Sequence, residues 1–198
     1  MKQLINGKSH NSFFVQRTKV DKTYLTGNRI NFFKPYIEGK KVLHIGFVDW
    51  PITDINSSLH ISMAPLCERL DGFDVNFEHA EKLRVPNGDL YSNWDSLPDD
   101  YDTILIPEVI EHVGNVEEFL KKINLKKGTL IITAPDSYLL KSEWEETDQY
   151  FLEAVHPDHN CYYTPFTLKN VIEKYTDRKV NSLHWINKRS IAAICKLD

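Results

Sequence analysis

Glu108, Glu111 and His112 stand at relative offsets of zero, three and four, the spacing that brings side chains to one face of a helix. Two carboxylates and an imidazole on one face suit either of two chemistries: coordination of a divalent cation, or removal of a proton by a positioned base. Farther along, His156-Pro157-Asp158-His159 supplies two more imidazoles just ahead of Thr164-Pro165. Those two residues have the types of a helix N-cap and first helical position, with the helix running to Tyr175. Histidine titrates near neutral pH, so His112, His156 and His159 are the candidate bases for a hydroxyl acceptor.

Elements able to position these groups are readable as apolar runs. Residues 41–49, Lys-Val-Leu-His-Ile-Gly-Phe-Val-Asp, read as a short buried strand that Gly46 ends in a sharp turn. In open α/β sheets, ligands bind beyond the carboxyl ends of the strands, and backbone N–H groups there approach a nucleotide closely. Gly46, Phe47, Val48 and Asp49 are therefore candidates to cradle a cofactor. Residues 70–75 read as a second strand, with Asp74 at the end where such folds hold a ribose through its hydroxyls. Further runs fall at 101–107 and 128–134. Helices are expected over 23–37, stopped by Gly39, and over 57–69, broken near Pro65. Residues 178–183 and 190–196 read as closing antiparallel strands around an Asn187-Lys188 turn, with His184 and Trp185 structural.

The order of these blocks, with Glu108-Val109-Ile110-Glu111-His112-Val113 following Pro107, resembles class I S-adenosylmethionine-dependent methyltransferases, in particular the small bacterial type. The resemblance runs over roughly 40–175 and is specific in its block order. It implies an α/β, Rossmann-like fold: a mostly parallel seven-stranded sheet with an antiparallel closing strand and helices on both faces. It implies S-adenosyl-L-methionine as cofactor, with the Gly46 turn and Asp74 holding methionine and ribose. Asp89 and Leu90, in a Gly-Asp-Leu step, are implied for adenine, and Pro107 and Glu108 border the pocket. The chain departs from the pattern at Phe47, Val48, Asp49 and Trp50, where the family usually carries further glycines. Such a turn either offers its N–H groups while its side chains pack, or closes the site.

The expected activity is methylation of a hydroxyl or amine on a small molecule or glycan intermediate, with no metal. Two alternatives stay open. A looser resemblance to metal-dependent 2'-O-methyltransferases of small-RNA 3' ends would give Glu108, Glu111, His112 and either His156 or His159 a divalent cation. The bulky turn also permits a fold that has lost catalysis and serves as a binding or regulatory protein.

Composition bounds these readings. The chain has 198 residues, 41% hydrophobic, which suits one domain over 1–198 with a sizeable core. Lys plus Arg number 24 against 28 Asp plus Glu, a net charge of -4, so no basic field favours nucleic acid. Cys67, Cys161 and Cys195 lie far apart, without zinc or disulfide spacing. The absence of a span-length apolar run or a leader-like start leads to the expectation of a cytoplasmic monomer or homodimer without membrane contact. Residues 1–22 read as a polar arm with Phe13-Phe14 at its middle. Residues 137–163, with Tyr138, Trp144, Glu145, Glu146, Tyr150 and Phe151, read as an insertion on the substrate side.

Overall fold

The computed structural model describes residues 2–12, 15–49, 54–123, 127–140, 144–146, 150–153 and 155–197. The Phe13-Phe14 pair and the expected loop from Trp50 to Thr53 lie outside them, as do the side chains of Trp144 and Phe151. The chain opens with β1 (Lys2–Ile5) and β2 (Lys8–Asn11), an exposed hairpin where the sequence reading expected an irregular arm. Asn6 and Gly7 both take positive φ, 49° and 75°, the conformation a two-residue hairpin loop demands.

Helix α1 (Arg29–Ile37) begins later than expected because Asn28 caps it, its side chain accepting from the Ile30 N–H at 2.8 Å. It buries Phe32, Phe33 and Ile37, each contributing about 1.5–3 kcal/mol. Strand β3 (Lys41–Ile45) follows, then α2 (Leu59–Met63), which tightens to a 3-10 turn at Ala64–Leu66. Pro65 has no N–H with which to continue the helix, so the expected 57–69 helix is much shorter. Next come β4 (Arg69–Phe73), a 3-10 stretch at Phe77–Leu83, the two-residue β5 (Leu90–Tyr91) and β6 (Thr103–Pro107). Helix α3 (Val116–Lys121), β7 (Gly128–Pro135), a small hairpin of β8 (Trp144–Glu146) and β9 (Phe151–Glu153), and α4 (Pro165–Tyr175) complete the middle of the chain. As expected, Thr164 caps α4, reciprocally with Thr167. Strands β10 (Ser182–Ile186) and β11 (Ser190–Leu197) close the fold around Asn187 and Lys188, both at positive φ.

Seven strands form one sheet in the order β10-β11-β7-β6-β3-β4-β5. β3 through β7 run parallel, and β11 is antiparallel to both β7 and β10. The central strands are buried on both faces, as parallel sheets require. Leu43, Ile104, Ile106, Leu130 and Ile132 pack with Leu120 of α3 and with Leu168 and Ile172 of α4. Val42, Leu105 and Ile131 pack on the other face with Phe32, Phe33 and Met63 of α1 and α2. The period-two alternation within each strand thus sends successive residues to opposite helical layers. The carboxyl ends of β3, β4, β5, β6 and β7 open together on one edge. Trp185, in keeping with a structural role, donates from Nε1 to the Asp136 carboxylate beyond β7 at 2.8 Å.

Candidate active site

At the carboxyl end of β3, Gly46 takes φ 75°, and a Cβ there would collide with Val109 Cγ2. Glycine is demanded twice, by the backbone and by the close approach of the chain beyond β6. Phe47 and Val48, which follow it directly, are both buried. The Phe47 ring is buried over Gly72 of β4, whose missing Cβ makes room for it, and lies 4.8 Å from the His60 ring. Val48 packs with Leu83 and Leu90, and Asp49 is exposed. Phe47 and Val48 thus turn their side chains inward, while Trp50 of the same turn lies outside the described residues.

Beneath Phe47, His44 and His60 meet through their Nδ1 atoms at 3.2 Å, and both are fully buried. Burial lowers the pKa of His60 to about 4 and holds His44 well below its ordinary value, so the pair is neutral near pH 7.

Asp74 stands just beyond β4 and is 5% exposed. Its Oδ2 accepts from the Val48 N–H at 2.9 Å and its Oδ1 from the Asn76 N–H at 2.8 Å. It therefore clips the Gly46 turn to the end of β4. Burial pushes its pKa up against these N–H donors. The N–H of Val48 is taken by this bond and is not free for a cofactor. Val75, next in the chain, is 81% exposed, an apolar surface that the sequence reading missed.

Asp89 and Leu90 do not join this site. Leu90 pairs with Gly72, and the Asp89 N–H donates to Asp71 Oδ1 at 2.9 Å, so Asp89 is level with Asp71. That is three residues, on the order of 10 Å, short of Asp74 along the sheet. The Leu90 side chain belongs to the core. Ser92 and Asn93, both exposed, occupy the end of β5 instead. A Gly-Asp dipeptide marks a turn but cannot say at which end of a strand it lies; the β4–β5 register does.

The segment after β6 is also corrected. Pro107 ends the strand buried, Glu108 takes φ 54°, and the chain runs through turns to Asn115, which caps α3. No helix carries Glu108, Glu111 and His112, and their side chains diverge. The Glu108 carboxylate accepts from Thr133 Oγ1 at 2.6 Å and from Ser190 Oγ at 3.3 Å, across the ends of β7 and β11. Burial raises its pKa against those bonds. Glu111 is fully buried with neither carboxylate oxygen hydrogen-bonded; burial, then the nearby Glu108 charge, pushes its pKa up to about 8. The mixed set of two carboxylates and two imidazoles is not assembled.

His112 instead turns outward and meets His156 and His159. Ring centroids lie 5.5 Å apart for His112 and His156, 4.7 Å for His112 and His159, and 5.4 Å for His156 and His159. Asn160 staples the two segments, donating from its backbone N–H to the Glu111 carbonyl and from Nδ2 to the His112 carbonyl, each at 2.8 Å. Partial burial, then the neighbouring imidazoles, lowers the pKa of both His112 and His159, and Asp158 works against this at both.

A family model described as a methyltransferase domain matches residues 58–175, more than half of the chain. The chain belongs to this methyltransferase family. A search of curated proteins finds no match. A SAM-dependent methyltransferase of Aquifex aeolicus superposes with a TM-score of 0.59 at 16% identity, over 86% of this chain and 88% of that one. One from Archaeoglobus fulgidus gives 0.57 at 17%, over 85% and 91%. Magnesium protoporphyrin IX methyltransferase of Synechocystis PCC 6803, solved with bound SAH, gives 0.50 at 15%, over 86% and 80%. At such identities these likenesses speak for the fold. The methyltransferase uses S-adenosyl-L-methionine as methyl donor and needs a methyl acceptor. Among the described residues no helix is long and apolar enough to cross a membrane.

Proposed function

We propose that this methyltransferase alkylates a hydroxyl group of a small molecule or glycan at the mouth formed by the Gly46 turn and the histidine cluster. The observation that carries this reading is the convergence of His112, His156 and His159. Methyl transfer from a sulfonium is an in-line displacement, in which the acceptor oxygen attacks the methyl carbon as the carbon–sulfur bond breaks. The protein's main task is to align the two partners. A hydroxyl must also lose its proton, and imidazoles whose pKa is lowered, as at His112 and His159, suit that task, whereas an already neutral amine would need none.

On the donor side, the backbone at Gly46 and Phe47 and the carboxylate of Asp74 border the methionine and ribose portions. Val75 offers an apolar face to the adenine, with Ser92 and Asn93 beside it. Glu108, bonded to Thr133 and Ser190, forms the wall behind Pro107. The insertion over 137–163, with Tyr138 and Tyr150 exposed at 67% and 68%, supplies apolar surface suited to shaping acceptor choice. The net charge of -4 disfavours a polyanionic acceptor.

Calorimetric titration with S-adenosylhomocysteine on the wild type and on Asp74→Asn, followed by an acceptor screen with labelled donor, tests the reading. Micromolar binding that weakens in the variant supports it. Transfer only to amines would overturn the hydroxyl assignment.

A further inference from the structure

The eight histidines of the chain are not scattered: three of them, from two segments separated by more than 40 residues, present ring nitrogens that all lie within 4.8 Å of one another. Three imidazoles in water gain little from contact with one another, and any charged pair among them repels. The surroundings point to a missing partner. His159 Nδ1 is buried without a hydrogen-bond partner, an unfilled acceptor or donor position on a ring of the cluster. The backbones are already set by the Asn160 staple and by the His159 N–H, which donates to the His156 carbonyl at 3.1 Å.

We propose that His112, His156 and His159 bind a divalent transition-metal ion, zinc or one of similar softness, leaving an open position for the acceptor's hydroxyl oxygen. The acceptor half of this proposal rests on the hydroxyl reading above; the capture of metal does not. Three imidazoles with no carboxylate among them select zinc, cobalt or nickel over magnesium or calcium, which demand oxygen ligands. Nitrogen–metal distances of about 2.0–2.1 Å require the three nitrogens to draw in by roughly an ångström. His112 and His156 are exposed, so side-chain rotation accommodates this. Asp158 supplies an outer partner. Its N–H lies 3.3 Å from His156 Nδ1 and its carboxylate 3.9 Å away. For the other ring nitrogen to take the metal, Nδ1 gives up the bond it accepts from the Asp158 N–H, carries the proton and donates a hydrogen bond to the carboxylate, which must close in from 3.9 Å. This nitrogen set differs from the carboxylate-containing set, since Glu108 is bonded to Thr133 and Ser190 and Glu111 is buried apart from the cluster.

With the three imidazoles engaged as ligands, the metal would take over their role in activating the acceptor: a hydroxyl bound at the open position would lose its proton to water more readily than a free one. The oxygen then uses its electron pair to form the bond to the methyl carbon, and the sulfur keeps the pair from the broken bond. The metal changes no oxidation state.

The test is cobalt titration of chelator-stripped full-length protein, read in the visible d–d bands, with displacement by zinc. Wild type and the remote variant His10→Gln are expected to show the intense bands of low coordination number. His112→Gln, His156→Gln and His159→Gln are each expected to bind at least tenfold more weakly. Azide added to the cobalt form should shift the bands, reporting an exchangeable position. Absence of binding by the wild type, or binding that survives loss of any one histidine, overturns the site; bands insensitive to azide overturn the acceptor role. S-adenosylhomocysteine affinity, measured in parallel, should be unchanged in the histidine variants, so a failed metal site and a failed cofactor site give different results.

Discussion

The Val48 N–H donates to Asp74 Oδ2 at 2.9 Å, and this bond, with that from the Gly46 N–H to the Phe73 carbonyl at 2.8 Å, ties the turn after β3 to the end of β4. The same carboxylate accepts from the Asn76 N–H at 2.8 Å. A single acid thereby shapes both loops at the carboxyl ends of β3 and β4, where the donor's ribose is proposed to bind.

Asp74→Ala leaves two donors near the sheet without their acceptor. Hydrogen bonds to a charged group contribute about 1.5–3 kcal/mol each, so a loss of about 3–6 kcal/mol in urea unfolding is expected, with S-adenosylhomocysteine binding at least tenfold weaker. Asp74→Asn keeps an acceptor oxygen and should unfold nearer the wild type. Unchanged cofactor affinity in a folded Asp74→Asn would remove the carboxylate from the donor site.

Gly46→Ala forces an L-residue into φ 75° and drives its methyl into Val109 Cγ2. The left-handed conformation alone costs about 1–2 kcal/mol, and the clash adds to it. The double variant Gly46→Ala with Val109→Ala should recover the clash but not the conformational part. A thermal melt in which the second change brings no recovery would contradict this packing.

Glu111 predicts a pH-dependent penalty. Its pKa is raised from 4.5 to about 8 on folding. Below 4.5 both states are protonated and the penalty vanishes; as pH rises through the interval only the unfolded chain ionises, so folding loses about 3 kcal/mol by pH 7. Glu111→Gln should raise the urea midpoint at pH 7–8 and change it little at pH 4. Equal effects at both pH values would rule out the buried, protonated carboxyl.

The buried histidine pair has the opposite sign. His60 falls from 6.5 to about 4 on folding, so its neutral form is matched to the fold above 6.5 and stability is lost as pH drops toward 4. The expected loss is about 2 kcal/mol between pH 7 and pH 5, with His44 adding to it. Because Glu111 offsets part of this slope in the wild type, the measurement compares the pH dependence of unfolding in Glu111→Gln with that in Glu111→Gln carrying His60→Gln. Equal slopes in the two would exclude the pair as the cause.

Much of the sheet was legible because each central strand is a short apolar run stopped by a residue with a backbone reason to stop: Gly46, Asp74 or Pro107. The α4 start was legible too, since Thr164-Pro165 states its own cap. The first hairpin carried a usable signal in Asn6-Gly7, but its flanking strands are polar and exposed, so no alternation announced them. Offsets of three and four misled at Glu108–His112 because they presuppose a helix. A left-handed Glu108 after a strand-ending proline leaves none.

By itself the sequence determined the α/β class, the Gly46 turn and the acid that faces it, because these depend on short-range periodicity and on conformations few residues adopt. Only the tertiary structure decided that Asp89 lies below the site, that Phe47 turns inward and that Glu111 parts from His112. It also decided that His112 meets His156 and His159. Register, side-chain direction and the meeting of distant segments are set by which surfaces pack together, and no local pattern along the chain carries that information.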